Sequence, residues 1–255
     1  MRLIPYSKAS VYESLALEEA IFQIGKENPE IFEDTIRFTS FKKPSVILAK
    51  NQALREIDWE YCEFNNIDVA MRKSGGGSVF FGKGDIYFSM ITQNRDPHEE
   101  IHQNIAAGLQ NLGYDAFLTL NNGYKIVRLG GRGIFFDARL KSKNWIMHHG
   151  AILVNPEDYH HMPISLKATK EEKKVLREGN DWLYSHQVLP IEEIISSIAV
   201  QFENLHEGSY NQLELERAEK LLLKYENSNL LKQGRKHYGI CYLTDSPYDL
   251  EKYTN

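Results

Sequence analysis

The sequence has few cysteines, no long apolar run and no excess of basic residues. Cys62 and Cys241 are the two cysteines of the chain, too few for a disulfide framework or a cysteine-based zinc site, so we expect both to be reduced and buried. No segment approaches the roughly 18 apolar residues that span a bilayer, and the first residues lack the apolar core of a signal peptide. With a net charge of −5, the protein has no overall positive potential that would attract nucleic acid or an anionic membrane. We therefore expect a cytoplasmic protein without nucleic-acid or membrane partners.

The composition is that of a globular protein, with 42% hydrophobic and 25% charged residues among 255. A chain of this length buries roughly 70–75% of the surface of its unfolded state. Strand-like segments dominate up to residue 155, and helical periodicity dominates from Pro190 onward. We predict an α+β fold with a mixed β-sheet core flanked by helices. Residues 1–189 are expected to form the core and residues 190–255 a helical C-terminal extension packed on it.

Capping signals mark two helix starts. Ser10 precedes an amphipathic segment over residues 12–24, and Glu13 follows three residues after Ser10, which is the spacing of a capping box. Asp96 and Pro97 begin another helix, because proline is favoured at the first helical position. Each helix carries an apolar stripe that is expected to be buried.

The segment from Arg72 to Ser89, RKSGGGSVFFGKGDIYFS, is the most informative part of the chain. Its three consecutive glycines at 75–77 lie between two strand-like runs. Glycine reaches positive φ without strain, so such a loop lets amide N–H groups approach a phosphate or carboxylate closely. Arg72 and Lys73 place positive charge beside the loop.

A hairpin turn and a nucleotide P-loop are two other interpretations of this loop. Glycine clusters are common in turns. Gly77–Lys83 has the P-loop spacing G-x-x-x-x-G-K, but Gly84 follows where a Ser or Thr would bind Mg²⁺. A P-loop also opens a helix, whereas the residues from Asp85 onward alternate as in a strand. The loop is therefore expected to join two strands.

Two pairs of neighbouring histidines, His148-His149 and His160-His161, could suggest a metal site. Neighbours on a strand face opposite sides, so such a pair cannot bind one ion. We expect one of His148 and His149 to line a pocket and the other to be structural. The charged segment 167–178 is expected to be a solvated helix or loop.

Taken together, these segments resemble the lipoate-protein ligase and octanoyltransferase family, whose fold is shared with biotin-protein ligases. The first helix contains LALEEA at Leu15–Ala20, Asn51-Gln52 follows the second strand, and H-H-G begins an apolar run at His148–Leu153. The resemblance covers roughly residues 8 to 225 and implies a biotin/lipoate-protein ligase-like catalytic domain of the class II synthetase-like type. The family loop R/K-x-S/T-G-G-G-A/S-V-F/Y is matched by Arg72, Ser74, Gly75, Gly76, Gly77, Ser78, Val79 and Phe80.

The resemblance implies that lipoate or octanoate is activated by ATP as an acyl-adenylate, and that the acyl group then passes to a lysine of a small lipoyl domain. An acyl-adenylate needs backbone donors and a cation around its phosphate and an apolar tunnel around its tail. The implied cofactors are ATP and Mg²⁺, the substrate is lipoate, and Asp85 is a Mg²⁺ or ribose ligand. The implied substrate- and ATP-binding residues are Arg72, Ser74, Gly75, Gly76, Gly77, Ser78, Val79, Phe80, Asp85, His149 and Gly150.

One family feature is altered in this sequence. The family has a catalytic lysine just before a glycine-containing turn, where it stabilises charge on the acyl carbonyl and the phosphate. Aligned on the glycines of 130–133, Arg128 takes this position, whereas Lys125 takes it when Lys-Ile is aligned. Arginine binds phosphate well, but its planar fork differs from a compact ammonium. Lys125 and Arg128 both remain candidates for the catalytic cation. In addition, the aromatic-rich segment Ile134–Asp137 stands where the family has a polar stretch.

The resemblance leads to three functional hypotheses. The first is a lipoate-protein ligase catalytic domain that acts on the lipoyl domain of a 2-oxoacid dehydrogenase E2 or on the glycine-cleavage H protein, with a separate accessory subunit as a further partner. The second is an ATP-independent lipoyl or octanoyl transferase that carries the acyl group on Cys62 or Cys241 as a thioester. The third is a catalytically silent relative that binds an acyl ligand or a lipoyl domain.

Overall fold

The computed structural model describes residues 1–121, 124–169, 172 and 179–227. The strands are β1 (Arg2–Ala9), β2 (Thr35–Phe41), β3 (Ser45–Leu48), β4 (Asp68–Met71), β5 (Val79–Phe81), β6 (Ile86–Gln93), β7 (Ala116–Asn121), β8 (Tyr124–Leu129), β9 (Arg132–Ser142), β10 (Trp145–Ile152) and β11 (His206–Glu207). The helices are α1 (Val11–Glu27), α2 (Trp59–Phe64), α3 (His98–Asn111), α4 (Met162–Ser165), α5 (Ile191–Ala199) and α6 (Gln212–Asn227).

The strands of the described residues form two sheets. The main sheet has the order β11-β1-β2-β6-β10-β9-β8-β7, and a smaller sheet has the order β4-β3-β5. In the main sheet β1 is parallel to β2 and β11, whereas the strands from β2 to β7 in that order are antiparallel neighbours. In the smaller sheet β3 is parallel to β4 and antiparallel to β5. The predicted mixed sheet is confirmed.

Helices cover both faces of the main sheet. On one face α3 and α5 pack on a core that includes Phe88 and Met90 of β6. On the opposite face α1 contributes Ile21 to a cluster that includes Ile91 of the same strand. Met90 and Ile91 are neighbours, so their side chains reach opposite layers, as expected for a strand buried on both sides.

The capping box predicted for the first helix is confirmed. Ser10 Oγ accepts a hydrogen bond from the amide of Glu13 at 3.1 Å, and Glu13 Oε2 accepts one from the amide of Ser10 at 2.6 Å. The hydrogen bond from the Ser10 backbone is the main reason why the pKa of Glu13 is lowered. This local signal fixes the point at which the chain leaves β1 and enters α1.

The C-terminal helices pack on both layers of the protein. Helix α6 packs on α1 through a small-residue contact that includes Ala20 and Ala218, and β11 extends the main sheet by pairing with β1. The boundary at residue 190 stays a prediction, and residues 228–255, with Cys241, lie outside the described residues. Within the described part of the chain, no helix combines the length and apolar character needed to cross a membrane.

Gly108 allows the close approach of α3 and α5. A Cβ at this position would lie 2.5 Å from Ile198 Cα and 2.8 Å from Ser197 O, both backbone atoms of α5. We expect Gly108→Ala to lower the free energy of unfolding by about 1–3 kcal/mol, because the overpacked helices must separate. Urea denaturation measures this change. Gly75→Ala is the matched control, since a Cβ there meets nothing within 4 Å, and an equal loss in both variants would contradict the prediction.

Candidate functional site

A cavity of about 300 Å³ lies between the smaller sheet and strands β9 and β10 of the main sheet. Its volume is at the lower end of the range of small-molecule sites. Most of its wall is apolar, and a few polar groups converge on one part of it. The lining residues include Arg72, Gly76, Gly77, Ser78, Val79, Phe80, Phe136, Asp137, His149, Gly150 and Leu153.

The glycine loop joins β4 to β5, as predicted, and borders this cavity. Of the residues implied by the family loop, Arg72 and those from Gly76 to Phe80 line the cavity. Ser74 and Gly75 are not among its lining residues; Ser74 is buried behind the loop. His149 and Gly150 of β10 line the opposite wall. The expectation that one histidine of the pair at 148–149 faces a pocket is therefore confirmed.

Arg72 holds the glycine loop in its folded form. Its side chain is buried, and Nη2 donates to the carbonyl oxygens of Gly75 and Gly77, both at 2.8 Å. Nε donates to Ser74 Oγ at 2.8 Å and Nη1 to the carbonyl of Ile47 at 3.2 Å. Burial lowers the pKa of Arg72, while the charge of nearby acidic groups raises it. The loop is thus wrapped around a guanidinium that forms part of the cavity wall.

A chain of buried hydrogen bonds connects helix α1 to the glycine loop. His149 Nδ1 lies 2.6 Å from Glu18 Oε1, and His149 Nε2 lies 2.6 Å from Ser74 Oγ. Tyr87 OH donates a short hydrogen bond to the second carboxylate oxygen of Glu18. Because Ser74 Oγ already accepts from Arg72, its hydroxyl hydrogen is free to donate to His149, whose other nitrogen then donates to Glu18.

Glu18 is not among the site residues predicted from the sequence, although it lies within the LALEEA segment that carries part of the family resemblance. A signal was present: Glu18 shares the apolar face of α1 with Leu15 and Phe22, at helical spacings of three and four residues. A carboxylate on a buried face requires donors from the rest of the protein. The helical periodicity predicts that Glu18 is buried and needs donors, but it does not predict that His149 and Tyr87 are those donors.

Asp85 is completely enclosed by donors of the protein. Oδ1 accepts from the amides of Val154 at 2.7 Å and Asn155 at 3.3 Å, and Oδ2 accepts from the amide of Gly82 and from Tyr159 OH, both at 2.8 Å. Burial raises the pKa of Asp85 to about 7, although these hydrogen bonds act in the opposite direction. A metal role for Asp85 stays a prediction, and this geometry favours a structural role, because no carboxylate lone pair is left for an ion.

The structure does not bring Lys125 or Arg128 to the cavity. Lys125 forms an ion pair with Glu99 of α3. Arg128 donates from Nε to Thr119 Oγ1 at 2.7 Å and from Nη1 to the carbonyl of Gly131 in the β8–β9 turn. Neither residue is part of the cavity wall, whose only arginine or lysine among the described residues is Arg72. The catalytic roles of Lys125 and Arg128 stay predictions.

Comparisons with known proteins agree with this architecture. A family model described as the lipoyl protein ligase A/B catalytic domain matches residues 10–203. Lipoate-protein ligase 1 of Staphylococcus aureus is 30% identical over 218 residues, which are 83% of this chain and 58% of that protein. Octanoyltransferase LipM of Carboxydothermus hydrogenoformans is 24% identical over 178 residues, which are 60% of this chain and 64% of that protein. The chain thus spans less than two thirds of the length of these relatives.

Solved structures show the same fold. A crystal structure of lipoate-protein ligase A bound with ATP has a TM-score of 0.75 and 23% identity, covering 87% of this chain and 93% of that chain. A bipartite lipoate protein ligase of Thermoplasma acidophilum, described with its E2 lipoyl domain, has a TM-score of 0.72 and 22% identity, covering 91% and 96%. The predicted fold is therefore confirmed. Because the family model matches most of its length, the chain belongs to the lipoyl protein ligase A/B catalytic-domain family.

Proposed function

We propose that the chain activates lipoate or octanoate with ATP as an acyl-adenylate and transfers the acyl group to a lysine of a lipoyl domain. The observation that carries this proposal is the cavity beside the glycine loop in a member of this family. One similar ligase structure holds ATP, and another is described with its E2 lipoyl domain. The proposed acceptor is accordingly the lipoyl domain of an E2 subunit or the glycine-cleavage H protein.

The two parts of the cavity match the two parts of an acyl-adenylate. Within the described residues, the amide N–H groups of Gly76 and Gly77, which line the cavity, donate to no protein acceptor, so they can donate to a phosphate. The apolar part, which includes Phe80, Phe136 and Leu153, suits an acyl tail. We assign no step to a metal at Asp85, because its oxygens are already hydrogen-bonded.

Lipoate-dependent exchange of labelled pyrophosphate into ATP tests this proposal directly. The purified chain is assayed with and without lipoate, and then with a lipoyl domain as acceptor. Exchange that requires lipoate supports adenylate formation, whereas its absence, with lipoyl-AMP still bound tightly, contradicts ATP-dependent activation by the chain alone. Addition of a separate accessory subunit distinguishes an incomplete enzyme from a silent one. Lys125→Ala and Arg128→Ala show which cation, if either, the exchange requires.

Gly76 is expected to be the most sensitive glycine of the loop. Its φ is 101°, where side chains are strained by about 1–2 kcal/mol, and a Cβ would lie 3.1 Å from Arg72 Nη2. We expect Gly76→Ala to weaken lipoyl-AMP binding by about tenfold, because this strain displaces the amides that face the phosphate. Calorimetric titration measures the affinity. Gly75→Ala, which introduces no contact within 4 Å, is expected to bind lipoyl-AMP normally. Equal affinities of the Gly75→Ala and Gly76→Ala variants for lipoyl-AMP would contradict the prediction.

An ATP-independent transferase is the second candidate, because the chain is also similar to an octanoyltransferase. Such an enzyme can carry the acyl group on a cysteine thiolate. Cys62 is a buried free thiol, as predicted, and burial raises its pKa to about 12, with the Asp58 charge as a further cause. Cys62 also lies outside the cavity wall. These properties argue against Cys62 as the acyl carrier, and Cys241 lies outside the described residues.

We expect Cys62 to be unreactive in the native protein. At pH 8 a thiol whose pKa is about 12 is ionised to a fraction on the order of 10⁻⁴, and the thiolate is the reactive form. In the Cys241→Ser variant, mass spectrometry after iodoacetamide treatment should find no modification under native conditions and complete modification in urea. Rapid native labelling of Cys62 would contradict this expectation and strengthen the transferase hypothesis.

A further inference from the structure

Three histidines surround Asp137 next to the cavity. His98 and His102 are four residues apart on α3 and therefore lie on one face of that helix. His148 of β10 and Asp137 of β9 come from adjacent antiparallel strands. We call His98, His102, His148 and Asp137 the histidine cluster. Asp137 also lines the cavity, so the cluster lies directly behind the cavity wall.

Two hydrogen bonds fix how the imidazole rings present their nitrogens. His148 Nε2 lies 3.0 Å from Asp96 Oδ1, while Asp96 Oδ2 accepts from Arg139 at 2.9 Å. An ionised carboxylate only accepts, so His148 Nε2 carries hydrogen and, in the neutral ring, Nδ1 keeps its lone pair. His102 Nδ1 lies 2.8 Å from the carbonyl of His98, so His102 Nδ1 carries hydrogen and the lone pair is on Nε2.

One ring nitrogen of each histidine faces Asp137, and His148 Nδ1 is within hydrogen-bond distance of it. His98 Nδ1 and His148 Nδ1 each lie 3.3 Å from Asp137 Oδ2, and His102 Nε2 lies 3.4 Å from Asp137 Oδ1. His98 Nδ1 and His102 Nε2 are buried and have no hydrogen-bond partner within the described residues. A nitrogen lone pair that faces a carboxylate repels it unless a proton or a metal cation lies between them.

We propose that His98, Asp137 and His148 bind a divalent transition-metal cation such as Zn²⁺. Their ligand atoms lie within 4.8 Å of one another, and the two separations of 3.3 Å match the edge of about 3.3 Å of a tetrahedron with bonds of about 2.0 Å. Imidazole ligands favour such a cation over Mg²⁺. Asp96 serves as the outer carboxylate that orients His148, as is usual for histidine ligands.

The proposed ion would change the electrostatics of the cavity. Among the described residues that line the cavity, Asp137 is the only carboxylate. Binding to a cation would neutralise its negative charge. The wall next to the glycine loop would then be more favourable to an anionic ligand. The site itself does not depend on the proposed function, because it is tested with the metal alone.

Titration of the EDTA-stripped full chain with Co²⁺ tests the site, since Co²⁺ replaces Zn²⁺ and absorbs visible light when bound by nitrogen and oxygen ligands. We expect saturable binding of one Co²⁺ per chain, which Zn²⁺ displaces. His98→Ala should weaken it by at least about tenfold, and Asp96→Asn by about 10–100-fold. His98 is partly exposed, with 31% of its side chain accessible, so the variant is expected to fold, which circular dichroism verifies.

His206→Ala is the matched control, because His206 lies on β11 with 57% of its side chain exposed. This variant is expected to bind Co²⁺ like the wild type. No saturable binding by the wild type would overturn the proposal. Unchanged affinity in both His98→Ala and Asp137→Asn would also overturn it, and the cluster would then be a network of protonated histidines around Asp137.

Discussion

Replacement of Glu18 by alanine is expected to lower the free energy of unfolding by about 2–6 kcal/mol, because two buried donors lose their acceptor and each unsatisfied group costs about 1–3 kcal/mol. His149 Nδ1 and Tyr87 OH both contact the Glu18 carboxylate. The cavity created by the missing side chain adds to the loss. We also expect ligand binding to fail, since His149 lines the cavity and contacts Ser74 at the start of the glycine loop.

Urea denaturation measures the first effect and calorimetric titration with lipoyl-AMP the second. Glu18→Gln should be intermediate, because its amide oxygen still accepts one hydrogen bond while its NH₂ group faces the other donor. Glu30→Ala removes an exposed carboxylate and should change the free energy of unfolding by less than about 0.5 kcal/mol. A Glu18→Ala protein as stable as Glu30→Ala would refute the stabilising role of the buried chain of hydrogen bonds.

Arg72→Lys is expected to have the second large effect, although the substitution keeps the positive charge. The guanidinium donates in four directions, to Ser74, Ile47 and the carbonyls of Gly75 and Gly77. An ammonium has three donors at a single point and cannot reproduce this fork. At least two buried acceptors lose a charged donor, so we expect a loss of about 2–4 kcal/mol in the free energy of unfolding.

The same substitution should weaken lipoyl-AMP binding by at least about tenfold, because the loop carbonyls that Arg72 holds set the direction of the adjacent amides. Lys73→Ala is the control: Lys73 is partly exposed and pairs with Glu19 at 3.8 Å, a contact that contributes about 0–1 kcal/mol. Normal stability with impaired binding in Arg72→Lys would indicate that Arg72 contacts the ligand directly. Normal stability and normal binding would contradict the structural role that we assign to it.

Local features of the site could be predicted from the sequence. The capping box of Ser10 and Glu13, the strand after Asp85 and the loop at Gly75–Gly77 each depend on residues close together in the chain. The prediction that only one of His148 and His149 faces the cavity also depends on a local rule, the alternation of side chains along a strand. The glycine loop also indicated the family, and the match to the family model confirms that family.

The catalytic cation illustrates a question that local sequence patterns leave open. Lys125 and Arg128 are both basic and both lie near a glycine turn, so the sequence offered two equivalent alternatives. The structure pairs Lys125 with Glu99 and Arg128 with Thr119. Asp96-Pro97-His98 likewise indicated a helix start, and the helix does begin here, but at His98 with Pro97 at the N-cap rather than at the first helical position. That His98 meets a carboxylate from β9 depends on how α3 packs on the sheet.

The sequence by itself determined the helix starts, the glycine loop and the family, because these follow from short-range stereochemistry and from motifs. The tertiary structure decided which distant residues meet. Glu18 and His149 are 131 positions apart, and Ser74 and His149 are 75 apart. Their contact requires the strand order of the main sheet and the placement of α1 on one of its faces. Periodicity specifies which side chains are buried, whereas the order of strands depends on the packing of the whole chain.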